Sequence, residues 1–349
     1  MKIETEEKYH CMEPEKLIAL ATEYGFKKMK ETLETDEYFT DIDSKFIKNR
    51  TCLRIRKKNN EYMEITYKGK SDSLLGQYCK LENNIHANIE DYENYINLFS
   101  ALGYYSYVEV KKKRITYSLE GDNYQYSIMI DTLPEIGGFV EFEILADQNK
   151  MSKKEVKKEL ENFVVKFNSL NLREATEPYR DIVAKYKVNK ITKGNSISYL
   201  CINLDGELLK YEKDFYKKYK DQMSKILESH ITWGKYKNDK QLNIKLDKLI
   251  MEYLDNLIFT SNELLITMEL LKQISYEKLF ITKVNSEFAK CFFHKMGLTV
   301  NNILYISNNT SLSTILKKNK VSLEHTALIN HTDFKENNSL LLILINESK

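Results

Sequence analysis

KIETEEKYH, residues Lys2–His10, opens the chain with a two-residue alternation of charge. Successive side chains of an extended strand point to opposite sides, so Lys2, Glu4, Glu6 and Lys8 share one face and Ile3, Thr5, Glu7 and Tyr9 the other. Similar faces recur along the first half. Arg54 and Arg56 sit opposite Leu53 and Ile55, and Glu64 and Lys68 oppose Met63, Ile65 and Tyr67. Lys112 and Arg114 lie two apart, and Glu141 and Glu143 oppose Val140, Phe142 and Ile144. A single strand of this kind is an ordinary half-buried strand with a solvated face. Five in one small domain, with acidic and basic pairs on different strands, point to a polar lumen. Charges held away from bulk water must pair with one another or with a bound ion and ligand. Clustered carboxylates collect a hard divalent cation, and Lys and Arg hold phosphate oxygens, so the pattern describes a metal–polyphosphate site.

Working outward, the period-two signal predicts eight strands: Lys2–His10, Thr35–Thr40, Thr51–Lys58, Tyr62–Lys68, Gln77–Ala87, Tyr107–Ser118, Tyr124–Asp131 and Phe139–Leu145. An even number suits a closed antiparallel β-barrel. Helices are expected at Glu15–Tyr24, between Pro14 and Gly25, and at Ile89–Leu102, stopped by Gly103. Two more are expected from Ser152, with Val156, Leu160, Phe163 and Val164 as the apolar stripe, and at Thr176–Tyr186. Polar residues Lys187–Ser196 read as a linker. Beyond it strands alternate with helices: SYLCINLDGELL from Ser198, Lys278–Lys283, Ile303–Ile306, Thr326–Ile329 and Leu340–Ile345 as strands, a mixed helical region over Leu208–Gln273, and helices Glu287–Met296 and Leu312–Lys317. That alternation predicts a parallel α/β sheet.

At 349 residues the chain is long enough for two domains. Its 42% hydrophobic content supports real cores, and eleven glycines with three prolines exclude collagenous and low-complexity classes. A net charge of +2 gives no reason to expect nucleic acid or an anionic membrane, so a bound anion must be met by local charge. No apolar run approaches the ~20 residues of a membrane span, and the start has no signal-peptide pattern. Five scattered cysteines without CxxC spacing argue against a disulfide framework or a zinc site and for a cytoplasmic location. The six histidines show no metal-ligand spacing, and the runs KKYK at Lys217 and KKNK at Lys317 read as solvated helix faces.

ETEEK, Glu4–Lys8, resembles the E-x-E-x-K signature of the CYTH superfamily, whose members form a triphosphate tunnel. Companion segments follow in family order: DEYFTD at Asp36–Asp41, CLRIRKK at Cys52–Lys58, TYKG at Thr66–Gly69 and KLE at Lys80–Glu82, then KKKRITY at Lys111–Tyr117, MID at Met129–Asp131 and GGFVEFEIL at Gly137–Leu145. ATEPYRDIV at Ala175–Val183 is similar to the closing helix. The resemblance covers residues 1–188 and is nearest the class IV adenylate cyclase-like subgroup. It implies Glu4, Glu6, Glu141 and Glu143 as metal-side carboxylates, with Asp131 as a fifth. It implies Lys8, Arg54, Arg56, Lys68, Lys112 and Arg114 as the phosphate clamp, joined by Lys80 where the family more often has Arg. Lys8, Lys68, Arg54 and Arg56 would carry catalysis, with Mg²⁺ or Mn²⁺ as cofactor. The expected partner is a small triphosphate, with no nucleic acid or membrane, and a homodimer is allowed. Expected reactions are hydrolysis of inorganic, nucleoside or thiamine triphosphate, or cyclisation of ATP to cyclic AMP. Cyclases of this class carry a His-Phe pair upstream of the signature, and only Met1, Lys2 and Ile3 precede Glu4, so the expectation ranks hydrolysis first.

INLDGEL, Ile202–Leu208, resembles the opening D-x-D-G-T motif of the haloacid dehalogenase (HAD) fold, over residues 198–349. Asn203 stands where that fold has its nucleophilic Asp, while Asp205 and Gly206 agree with it. Thr282 matches the second motif, Lys317 or Lys318 the third, and Asp333 the fourth, with His331 where an Asp is usual. An amide is a poor nucleophile and brings no charge to Mg²⁺, so this resemblance implies a catalytically degenerate domain. The contrasting reading of the whole chain is a non-catalytic sensor of phosphorylated ligands.

Overall fold

The computed structural model describes residues 2–71, 80–147, 149–192, 196, 198–203, 241, 244, 248, 261–282, 302–305, 312–329 and 334–347. The chain divides into two compact units, Met1–Tyr186 and Lys187–Lys349.

Unit one is an antiparallel sheet with flanking helices. Its strands are β1 Lys2–His10, β2 Lys27–Asp41, β3 Cys52–Lys58, β4 Tyr62–Ser71, β5 Lys80–Ala87, β6 Tyr104–Glu120, β7 Tyr124–Leu133, β8 Gly137–Asp147 and the two-residue β9 Arg173–Glu174. They are ordered β5-β4-β3-β2-β6-β7-β8-β1-β9. The closed eight-stranded barrel expected from the strand count is therefore corrected: among the described residues no ladder joins β5 to β1, and β9 occupies the far edge of β1. The sheet curls all the same. Glu4 and Glu6 on β1 feel the charge of Lys68 on β4, and Glu4 that of Glu82 on β5, although these strands lie near opposite ends of the sheet order. Charged side chains meet across the gap that hydrogen bonds leave open.

On β1, β3, β4, β7 and β8 the apolar face lies outside the charged one. From β1 and β8, Ile3, Val140, Phe142, Ile144 and Ala146 pack with Leu17 and Ala21 of α1 (Pro14–Glu23) and with Val156, Leu160 and Phe163 of α4 (Lys153–Val165). A capping box between Ser152 and Glu155 starts α4, satisfying donors that the first helical turn leaves orphaned. Phe163 is the hub: its ring lies 5.3 Å from Phe142 and 5.6 Å from Phe26. A second cluster, Phe39, Ile55, Met63, Ile65 and Phe99, sits beneath α3 (Tyr92–Ala101). With both helical layers on one face, the other is left to the charges.

β2 and α2 differ from their sequence reading for identifiable reasons. β2 begins at Lys27 rather than Thr35, because its first half pairs with β6 while exposing most of its side chains, which removes the period-two burial signal. A one-turn helix, α2 (Lys45–Lys48), is too short to show a period.

Unit two holds a parallel sheet ordered β12-β11-β10-β13, from β10 Tyr199–Asn203, β11 Glu277–Thr282, β12 Asn302–Tyr305 and β13 Thr326–Ile329. Its described helices are α6 Ser261–Gln273, α7 Leu312–Lys318 and α8 Phe334–Glu347. Leu340–Ile345, expected as a strand, is helix: all six side chains are buried. An apolar run enclosed on every side has no polar face to reveal its period, so strand and helix read alike. The helix is tied to α6 by a Thr267 hydroxyl that donates to Asn338 Oδ1 at 2.8 Å. The helix expected at Thr176–Tyr186 is α5 (Tyr179–Thr192), which runs on into the stretch expected as a linker. The helix expected at Glu287–Met296 and most of Leu208–Gln273 lie outside the described residues, as do Asp205, Gly206, His331 and Asp333 and the side chains of Asn203 and Thr282. Lys317 and Lys318 are exposed at the end of α7. Among the described residues no helix is long and apolar enough to cross a membrane, and Cys11, Cys52 and Cys201 are free thiols.

Candidate functional site

Register brings the inward side chains together. β1 and β8 pair so that Glu6 faces Glu143 and Lys8 faces Glu141. β6 and β7 place Arg114 beside Asp131, and β2 and β3 place Asp36 beside Arg56. β4 sets Lys68 against Glu82 of β5.

On the acidic side, carboxylate oxygens of Glu4, Glu6 and Glu143 all lie within 4.8 Å of one another. Glu4 and Glu6 keep solvent-accessible surface while crowded by surrounding protein, so they line a recess that water enters. Burial, and then Glu4 and Glu6, push the Glu143 carboxyl up to about 8. Burial also raises Glu4 and Glu6, with neighbouring carboxylates adding to it. Three hard oxygen donors that resist sharing negative charge are the donor set of a hard divalent cation, so these residues fit such an ion. Glu141 behaves differently. Burial opposes its ionisation, yet Arg114, with Lys112 and Lys8, holds it down at about 2. Its Oε2 lies 2.5 Å from Arg114 Nη2.

On the basic side, carboxylates brace guanidinium groups edge-on. Arg56 donates Nε and Nη2 to Asp36, both at 2.6 Å, and its Nη1 lies 3.3 Å from Glu34. Burial works against the Asp36 charge, but Arg56 and Arg54 hold its carboxyl well below the usual range. Arg114 grips Asp131 through Nε at 2.7 Å and Nη2 at 2.5 Å. Lys112 lies 3.3 Å from Glu34 and 3.6 Å from Asp131. Despite these partners, burial pulls the Lys112 ammonium down, and Arg114 adds to that. Arg54 is 3.6 Å from Asp36, donates Nη2 to Thr66 at 3.4 Å, and leaves a buried Nε–H without a hydrogen-bond partner among the described residues. Lys68 pairs with Glu82 at 2.7 Å. Lys8 donates to the Glu177 carbonyl and lies over the Tyr179 ring.

The sequence-derived metal set thus divides. Glu4, Glu6 and Glu143 converge, Glu141 is drawn to Arg114, and both Asp131 oxygens are engaged by Arg114, one of them also taking the Tyr179 hydroxyl at 2.8 Å. Arg54, Arg56, Lys112 and Arg114 form one linked network, and Lys8 on β1 and Lys68 on β4 lie within reach of its charges. The Lys80 side chain lies outside the described residues. Sequence reading gave no role to Glu34, Asp36 or Tyr179. For the first two a signal existed: they alternate on β2 like the other inward pairs. Tyr179 follows a proline at a helix start, where no period marks a face.

The inner face of this curled antiparallel sheet thus carries a carboxylate trio and a braced set of cations side by side. The CYTH domain matches residues 2–176, and the chain belongs to the CYTH family. A Methanocaldococcus jannaschii protein described as a "putative adenylate cyclase" is 30% identical over 152 residues, covering 43% of this chain and 82% of that protein. Among solved structures, the PH1819 protein of Pyrococcus horikoshii is 24% identical, over 52% of this chain and 99% of its own, with a TM-score of 0.44. A Hippeastrum protein described as a "putative adenylyl cyclase" with a dominant triphosphatase activity is 15% identical, over 56% of this chain and 98% of its own, with a TM-score of 0.40.

Proposed function

We propose that the first unit hydrolyses a triphosphate-bearing small molecule with the help of a divalent ion. The observation that carries this reading is the sharing of one inner sheet face by the Glu4–Glu6–Glu143 trio and the Arg54, Arg56, Lys112 and Arg114 network. Mg²⁺ or Mn²⁺ held by the trio would neutralise phosphate charge and polarise the phosphorus under attack. The chain's own groups do the rest. Arg54, with a spare buried N–H, and the fixed positive charges of Arg56 and Arg114 attract phosphate oxygens and stabilise charge that develops on the leaving group. Asp36 and Asp131 keep those guanidinium groups from reorienting, so little reorganisation accompanies the reaction. Lys8 and Lys68 complete the clamp from β1 and β4.

Cyclisation of ATP is the second reading, favoured by the description of the 30%-identical relative. It requires, in addition, a ribose held with its 3′-hydroxyl in line with the α-phosphorus; hydrolysis needs instead a water that attacks the terminal phosphorus and gives up a proton as the bond to the leaving phosphate breaks. Incubation with Mg²⁺ or Mn²⁺ and tripolyphosphate, ATP or thiamine triphosphate separates the two, by phosphate release against cyclic AMP. For unit two we propose a HAD-like domain without aspartyl-phosphate chemistry. Support comes from the parallel order with β10 inside the sheet and Asn203 at its carboxyl end, where such sheets place their ligands.

A further inference from the structure

Two ammonium groups and an aromatic ring meet at the start of α5. Tyr179, its first residue, is 6% exposed and packs edge-on against Phe139 at 5.2 Å. Lys8 Nζ lies 4.3 Å from the centre of its ring and Lys112 Nζ lies 4.9 Å from it. These ammonium groups come from β1 and β6, which β8 and β7 separate in the sheet, and both belong to the inner face. Like charges so placed repel. Glu34 and Asp131 already pair with Lys112, and a further carboxylate between the two ammonium groups would repel phosphate. The face of an aromatic ring attracts cations through its quadrupole and carries no net charge. Burial, and then the charges of Glu141 and Asp131, push the Tyr179 phenol upward, which keeps it neutral.

The segment leading to Tyr179 is fastened at both ends. Ala175 N–H donates to the Lys8 carbonyl at 2.8 Å, β9 pairs with β1, and Arg180 Nη1 donates to the Thr51 carbonyl at 2.9 Å. Its hydroxyl donates to Asp131, which already braces Arg114. The ring is therefore held from several sides against two cations that the phosphate clamp contains.

We propose that Tyr179 is a positioning residue for the substrate: its uncharged ring gathers the Lys8 and Lys112 ammonium groups into one seat for a phosphate group. This rests on the phosphate-binding reading given above. The loss of the ring then weakens phosphate binding more than it slows turnover, and Phe, which keeps the ring, restores binding.

The test is calorimetric titration of the full chain with inorganic tripolyphosphate in Mg²⁺, beside assays of phosphate release. Wild type is compared with Tyr179→Phe, Tyr179→Leu and Tyr179→Met, each checked for folding by circular dichroism. Tyr179→Phe is expected to bind within about threefold of wild type, and the ringless variants about tenfold more weakly, with KM raised by a similar factor and kcat nearly unchanged. Lys8→Met reads the same seat without touching the ring and is expected to weaken binding about tenfold. A folded ringless variant, or Lys8→Met, that binds like wild type overturns the proposal. So does a Tyr179→Phe variant as weak as Tyr179→Leu, because the effect then belongs to the hydroxyl. Wild-type binding without turnover contradicts hydrolysis alone, whereas a wild-type chain that does not bind tripolyphosphate overturns both.

Discussion

Arg56 and Arg114 each present one edge to a carboxylate on the adjacent strand, Asp36 and Asp131, both at most 1% exposed. Such pairs contribute little net stability when intact, but breaking one strands a buried charge. Asp36→Asn is expected to lower unfolding free energy at neutral pH by about 3–5 kcal/mol, measured by urea titration. The pH dependence has a definite sign. The folded Asp36 carboxyl lies below its ordinary 3.8, so its contribution is complete above about pH 4 and is lost as pH falls further. Asp36→Asn is thus expected to flatten the acid limb of the stability curve below pH 4, and a limb as steep as in wild type would contradict this. At this scale the residue types and spacing on the strands revealed the inward faces. They did not reveal who pairs with whom, because pairing depends on strand order, which alternation along a strand does not encode.

The elements most legible in the sequence were those with one charged or polar and one apolar face. β1, β3 and β8 alternate cleanly, and α4 carries both an apolar stripe and a capping box. Phe163→Ala, in the middle of the α4 stripe, is expected to cost about 3–5 kcal/mol in urea unfolding, through lost contacts with Phe142, Phe26 and Phe167 and the cavity left behind. Activity per folded molecule should change far less, since α4 lies behind the sheet from the charged face. Where both faces share one character the reading failed. Leu340–Ile345 is dry all round, and the polar Lys187–Thr192 stretch gave no apolar period, although α5 runs on through it.

For the whole molecule, the strand count suggested a barrel, whereas the described ladder stays open between β5 and β1 and the gap is bridged by charge. Counting strands cannot distinguish these outcomes, because closure depends on tilt and stagger. The carboxylate trio makes a further prediction. An ion held by the trio in the folded state alone would stabilise that state, so Mg²⁺ or Mn²⁺ should raise the melting temperature, by an amount that grows with ion concentration. Glu143→Gln should abolish that rise without unfolding the metal-free chain, read by differential scanning calorimetry; a rise that persists would place the ion elsewhere.

The central claim is that acids and bases on one curled sheet act together on a triphosphate. It is tested most directly by phosphate release from inorganic tripolyphosphate in Mg²⁺ or Mn²⁺, comparing wild type with the Glu4→Ala plus Glu6→Ala chain, both verified as folded. Metal-dependent turnover by wild type and a loss of at least about a hundredfold in the double variant are predicted, in keeping with removal of a charge-stabilising group. Undiminished turnover in the double variant, or none by wild type with any of the three triphosphates, would contradict the account.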